Sequence, residues 1–150
     1  MPFGRKSLRS PWLTDTAGRD FDVILLCYHT MPDDPHVNHP ALTSYQPNDY
    51  KWWMIADLFE TAAPGLLAQF DNFYFIDDDI ETDKEAINFL FDSFERGPFR
   101  LAQPALTRAS FMSWNALRVR RWSGHRSVHT VHLVCPLSNR SCLEACLPGF

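Results

Sequence analysis

A run of apolar residues that ends in three consecutive carboxylates, FYFIDDDIE at 73–81, constrains the fold of this chain more than any other feature. Four adjacent apolar side chains suit a short strand buried on both faces. The strand is expected to deliver Asp77, Asp78 and Asp79 to its carboxyl end, the place where open α/β sheets bind ligands, as a divalent-metal, phosphate-binding site. If the chain stays extended, side chains alternate, so Asp77, Asp79 and Glu81 share one side and Asp78 points away.

The pattern on either side of this run alternates strand and helix. FDVILLCYH at 21–29 is a continuous apolar run stopped by TMPDDP, as expected of the first strand of a parallel sheet. Pro32, Pro35, Pro40 and Pro47 make 30–49 a long irregular connection. Apolar residues at three- and four-residue steps predict a helix over 50–70, with Asp49 as its cap and a break near Pro64–Gly65. ETDKEAINFLFDSFERG at 81–97 predicts another, with Ile87, Leu90, Phe91 and Phe94 inward and Gly97 at its end. FRLAQPAL at 99–106 and HTVHLVCP at 129–136 read as strands, and LSNRSCLEACL at 137–147 as a last helix capped by Ser138. The order predicts an α/β fold, a Rossmann-like three-layer sandwich with a mainly parallel sheet.

With 150 residues there is room for one core, so residues 19–150 are expected to form a single domain. Residues 1–18, rich in Gly, Pro, Ser and basic side chains, read as a flexible arm. No segment has the length and apolarity of a membrane span or a signal peptide, which points to a cytoplasmic protein. Four cysteines are too few for a disulfide scaffold. Cys135, Cys142 and Cys146 lack paired C-x-x-C spacing, so no zinc site is expected.

Charge is segregated along the chain: residues 1–95 hold 6 Lys/Arg and 17 Asp/Glu, whereas residues 96–150 hold 8 Arg and Glu144 alone. Either the two halves attract each other across the fold, or an acidic metal-binding edge faces a basic edge that receives an anion. Like charges packed as densely as Asp77–Asp79 raise one another's pKa unless a cation joins them. Oxygen-only ligands favour Mg²⁺ or Mn²⁺, which take one or two protein carboxylates and complete their shell with substrate phosphates. The competing structural role is helix-dipole stabilisation, which accounts for Glu81 and Asp83 but not for the Asp triplet.

Other clusters read less sharply. His129 and His132 lie on opposite faces of an extended strand and do not share an ion there. Asp33, Asp34, His36 and His39 are gathered in a proline-rich loop, where such residues collect routinely. Arg118, Arg120 and Arg121, with Trp114 and Trp122, would suit nucleic acid, but the acidic whole argues against that partner; a solvated loop or a diphosphate clamp fits better. Gln103 has the donors and acceptors to bind a sugar hydroxyl or to cap its own turn.

RDFDVILLCYH (19–29), Lys51 opening a helix, FDNFYFIDDDIE (70–81), LAQPAL (101–106) followed by Ser110, and VCPLS (134–138) together carry a resemblance. Over about residues 12–150 the chain resembles GT-A-type glycosyltransferases, and more closely a bacterial and plant group with a glycosyltransferase-like domain and a DDD motif. That resemblance implies a metal-dependent transferase whose partners are a nucleotide-diphospho-sugar donor and an unidentified acceptor. Asp77 would face the nucleotide, Asp79 would ligate Mn²⁺ or Mg²⁺ with Asp77 and Glu81 nearby, and Asp78, Lys51, Gln103 and Ser110 would line the donor site. His132 stands where that group has an acidic residue, and the group continues beyond LPGF, so the resemblance implies a domain incomplete at its C-terminus. A binding module without turnover is the alternative. A metal-dependent phosphohydrolase is a weaker one, since it needs a nucleophilic Asp where the first strand has Cys27, Tyr28 and His29.

Overall fold

A computed structural model describes residues 2–3, 11–28, 42–44, 50–111, 114–120 and 124–149. Its strands are short and fall into two three-stranded sheets. The first is parallel, with β2 (Leu25–Cys27) between β1 (Pro2–Phe3) and β3 (Leu42–Ser44). The second is antiparallel, with β6 (Leu137–Asn139) between β4 (Asn72–Tyr74) and β5 (Leu101–Ala102). The expected Rossmann-like sandwich with a mainly parallel sheet does not form.

The reason lies in 129–139. Expected as a strand, 129–136 is irregular, and the strand begins one residue later, at Leu137. Pro136 has no N–H to donate, so the pairing that continues past β6 is one-sided. Phe75 N–H donates to Pro136 O at 2.9 Å and Asp77 N–H to Val134 O at 3.0 Å. These bonds keep the antiparallel register in which Tyr74 faces Leu137. Ser138, read as a helix cap, lies within β6 and is buried. The cap is Asn139, whose side chain accepts from Cys142 N–H at 2.9 Å and starts α4 (Arg140–Cys146).

Elsewhere the elements follow local chemistry more closely. The helix expected over 50–70 is α2 (Lys51–Asp57), continued by one π-helical turn at Leu58–Ala62 that ends ahead of Pro64. Tyr50 is its cap residue, without a side-chain bond, and Asp49 lies outside the described residues. In α3 (Lys84–Arg96), Asp83 caps the helix by accepting from Ala86 N–H at 2.7 Å, and Ile87 and Phe94 are buried while Leu90 and Phe91 are partly so. Gly97 ends α3 at a negative φ. The Phe99 ring lies against the position a β-carbon would occupy, so this glycine provides space rather than a left-handed turn. Within the connection expected to be irregular, Leu42–Ser44 forms β3.

Burial follows the period-two geometry of strands. Leu25 and Cys27 of β2 face one cluster, with Ile76 and Ile87; Leu26 faces another, with Met54, Ile55, Phe59, Phe75 and Leu143. Phe75 and Ile76 divide between the same two clusters, so 75–76 and β2 separate them. α1 (Pro11–Thr14), in the segment expected to be a flexible arm, places Trp12 and Leu13 in the first cluster. Of the charge segregation, one cross-half pair is Arg140 with Asp71, at 2.8 Å.

Because Asn139 both ends β6 and caps α4, Asn139→Ala is expected to lower stability by about 1 kcal/mol, whereas Ser138→Ala leaves the α4 cap intact. Urea midpoints, with helicity followed by circular dichroism, check this.

Candidate functional site

The acidic run leaves its strand earlier than the sequence suggests. β4 ends at Tyr74, Phe75 and Ile76 are buried beyond it, and the chain turns at Asp78–Asp79, with Ile80 N–H facing Asp77 O at 3.4 Å. Strand alternation therefore does not continue to Glu81, and the three aspartates occupy three environments.

Asp77 is half-buried and paired with Lys51, the first residue of α2, at 2.6 Å. The same ammonium donates to Phe75 O at 2.9 Å, Leu133 O at 2.9 Å and Val134 O at 3.0 Å. Its three protons are thus shared among four oxygens, which accounts for a lysine only 13% exposed. Burial pushes the Lys51 pKa down, against the opposing pull of Asp77. Burial likewise pushes Asp77 up; Lys51 acts against this, and Asp79 and Asp78 add to it. Four oxygens around the ammonium satisfy its hydrogen bonds and offset part of that desolvation.

Asp78 accepts from the Tyr28 hydroxyl at 2.9 Å, which ties the turn to the residue just after β2. Asp79 is exposed at the apex, and so is Glu81 beyond it. Among the described residues, no group of three or more His, Cys, Asp or Glu side chains gathers as a cation site. Asp77, Asp79 and Glu81 are therefore not assembled as a ready three-carboxylate cage. A hard cation that keeps water and phosphate ligands requires only one or two of them.

Gln103 connects to this assembly through 132–134. Its Oε1 accepts from His132 N–H and its Nε2 donates to Pro104 O at 3.4 Å, so its amide braces the segment whose carbonyls hold Lys51. His132 Nδ1 also faces Val134 N–H, at 3.4 Å. Ser110 sits in a separate turn with Thr107, their hydroxyls 2.9 Å apart. His125 packs edge-on against Phe99, and His129 is exposed. Arg121, Trp122 and the Asp33, Asp34, His36 and His39 cluster lie outside the described residues.

Two further groups at this place escaped sequence reasoning. Tyr74 and Cys135 hydrogen-bond in the buried wall behind Asp77, and burial pushes the Cys135 thiol up to about 11 and the Tyr74 hydroxyl up as well. Both are accordingly neutral near pH 7. Nothing in local sequence marks them, since their pairing follows from β4–β6 register; the polar end of Tyr28 after an apolar run was the one available hint for Asp78.

No family model, no curated protein and no solved structure matches this chain. Among the described residues, no helix is long and apolar enough to cross a membrane.

Lys51→Met leaves Asp77 half-buried beside three carbonyls and is expected to cost roughly 3 kcal/mol, much of it recovered in Lys51→Met/Asp77→Leu. Chemical denaturation of the four members of this cycle measures the coupling. The pH dependence has a definite sign. Asp77 lies above its ordinary 3.8, so the folded chain takes up this proton first on acidification. Its contribution is present in full below the ordinary value and is lost as pH rises through the raised one. Wild type should therefore gain stability relative to Asp77→Asn as pH falls through that window, as read from denaturation at several pH values.

Proposed function

We propose that the chain binds a nucleoside-diphosphate sugar through a divalent cation at the Asp77–Asp79 turn and works as a metal-dependent glycosyltransferase. The observation that carries this reading is the division of labour within the turn. Lys51 and Tyr28 take up Asp77 and Asp78 from two other elements, and the exposed Asp79 is presented at the apex. Rigid support beneath an exposed carboxylate is what a ligand-binding turn needs.

In this scheme Asp79 holds Mn²⁺ or Mg²⁺, with Asp77 and Glu81 two positions away on either side. Asp77, fixed by Lys51, orients the turn and faces the nucleotide. Gln103 positions the 132–134 segment, and Ser110, in a separate turn with Thr107, has no contact among the described residues with the Asp77–Asp79 turn that would assign it a part. The cation would neutralise charge building on the departing diphosphate. The residues present fit such an ion only with ligands supplied by the donor, because no three-carboxylate group is assembled among those described. A cytoplasmic location accords with the sequence, and the acceptor is unassigned.

A binding module without turnover is the second reading. Lys51 favours it: the one lysine at the turn is fully engaged with Asp77 and backbone oxygens, and Glu144, the sole carboxylate after residue 95, is exposed on α4.

Calorimetry with uridine diphosphate should show binding that requires Mn²⁺ or Mg²⁺ and weakens at least tenfold (about 1.4 kcal/mol) in Asp79→Asn. Metal-independent binding, or an unaffected variant, would overturn the cation's role. Release of free nucleotide from a sugar donor, assayed on the same protein, separates the enzyme from the binding module.

A further inference from the structure

Between Gly97 and Leu143 the sequence contains no Asp or Glu, and Arg108, Arg118, Arg120 and Arg126 of that stretch belong to one loop and its base. The chain leaves and rejoins the fold there at a single point. Leu106 N–H donates to Leu117 O at 3.0 Å, Val119 N–H donates to Leu106 O at 2.9 Å, and Leu106 bridges Arg118. Leu117, 4% exposed, anchors that base in the protein. Close ends over an anchored base are the marks of a compact Ω-type surface loop.

Turns stiffen both legs of the loop. On one, Ser110 N–H donates to Thr107 O at 3.3 Å; on the other, Asn115–Leu117 forms a 3₁₀ turn in which Leu117 N–H donates to Trp114 O at 3.0 Å. Phe111 and Trp114 lie between these turns, 98% and 56% exposed, and Val119 at the base is 49% exposed. Single exposed apolar residues are ordinary on a protein surface, but aromatic side chains offered from one braced loop form a patch that a partner can bury.

Charge identifies the partner. Arg108 lies in the turn three residues before Phe111, and Arg120 follows Val119; both are exposed, and neither pairs with a carboxylate among the described residues. Arg126 donates to Arg118 O at 3.1 Å and so adds its charge at the base. The loop is thus locally cationic on a chain of net charge −4, and its complement is an anionic surface. A nucleic-acid strand calls for a basic groove that tracks its backbone, which the acidic residues of 1–95 oppose; a bilayer needs only the loop tip. Aliphatic Val119 also gains from acyl chains and gains nothing from base stacking.

We infer that this loop docks the protein on an anionic phospholipid bilayer, with Phe111 and Trp114 entering the headgroup–acyl boundary and Arg108 and Arg120 engaging lipid phosphates. Aromatic side chains favour that boundary, and paired apolar and basic signals of this size give reversible attachment. The contact does not involve the cation at Asp79, so it stands or falls separately from the proposed transferase.

Sedimentation with vesicles in EDTA, which removes divalent ions that could bridge the acidic turn to lipid, tests this. Phosphatidylcholine vesicles with about 30% phosphatidylserine should bind wild type about tenfold more strongly than phosphatidylcholine alone, and added salt should shrink the difference. Phe111→Ala should weaken binding to the anionic vesicles about tenfold, and Arg108→Gln/Arg120→Gln should remove most of the preference for them. Phe89→Ala, which deletes another exposed phenyl ring (71%) from α3, should stay within about twofold of wild type. Absence of binding to the anionic vesicles, or equal losses in Phe111→Ala and Phe89→Ala, would overturn the inference. So would binding to a uridine oligonucleotide that depends on Phe111 when vesicle binding does not.

Discussion

One ammonium group organises the centre of this protein. Lys51 begins α2, yet its Nζ closes on a carboxylate and three carbonyls drawn from 75–77 and 133–134. Those stretches are also joined by the backbone bonds Phe75–Pro136 and Asp77–Val134. A charge buried to this degree is tolerable only when its hydrogen bonds are complete. The start of the helix is accordingly tied by a single side chain to the end of β4 and the irregular approach to β6, which the backbone bonds already join.

The same constraint explains why the fold departs from a parallel sandwich. For 129–136 to serve as a regular strand, the Leu133 carbonyl would have to join a ladder, but it turns to Lys51, and Val134 O is shared between Lys51 and the Asp77 N–H. Pro136 removes a donor where the ladder would need one. What remains is a two- or three-residue antiparallel core around β6, with Leu137 and Ser138 buried.

Legibility in the sequence followed the range of the interactions involved. The helix before Gly97 and the burial of the apolar residues around 25–27 and 75–76 are consequences of local pattern, and they were readable, although the strands there are shorter than the runs. The side on which Asp77 lies was not, because it depends on a lysine 26 positions earlier and on carbonyls more than fifty positions later. Ser138 and Asn139 illustrate the same limit at short range: both are good caps by type, and only strand pairing determines that Asn139 performs the role. Trp12 belongs with these cases. A Gly-, Ser- and Arg-rich context suggests a loose segment, whereas the indole is part of the core.

The contrast between Asp77 and Asp79 also bears on ionic strength. Mobile salt ions screen exposed charges over about 10 Å at 0.1 M and reach buried pairs poorly. Two carboxylates one residue apart on either side of Asp78 thus experience different media: the Lys51–Asp77 contact is largely shielded from the electrolyte, while the apex at Asp79 is bathed in it. The turn can hold its shape across salt concentrations that tune how strongly its tip attracts cations.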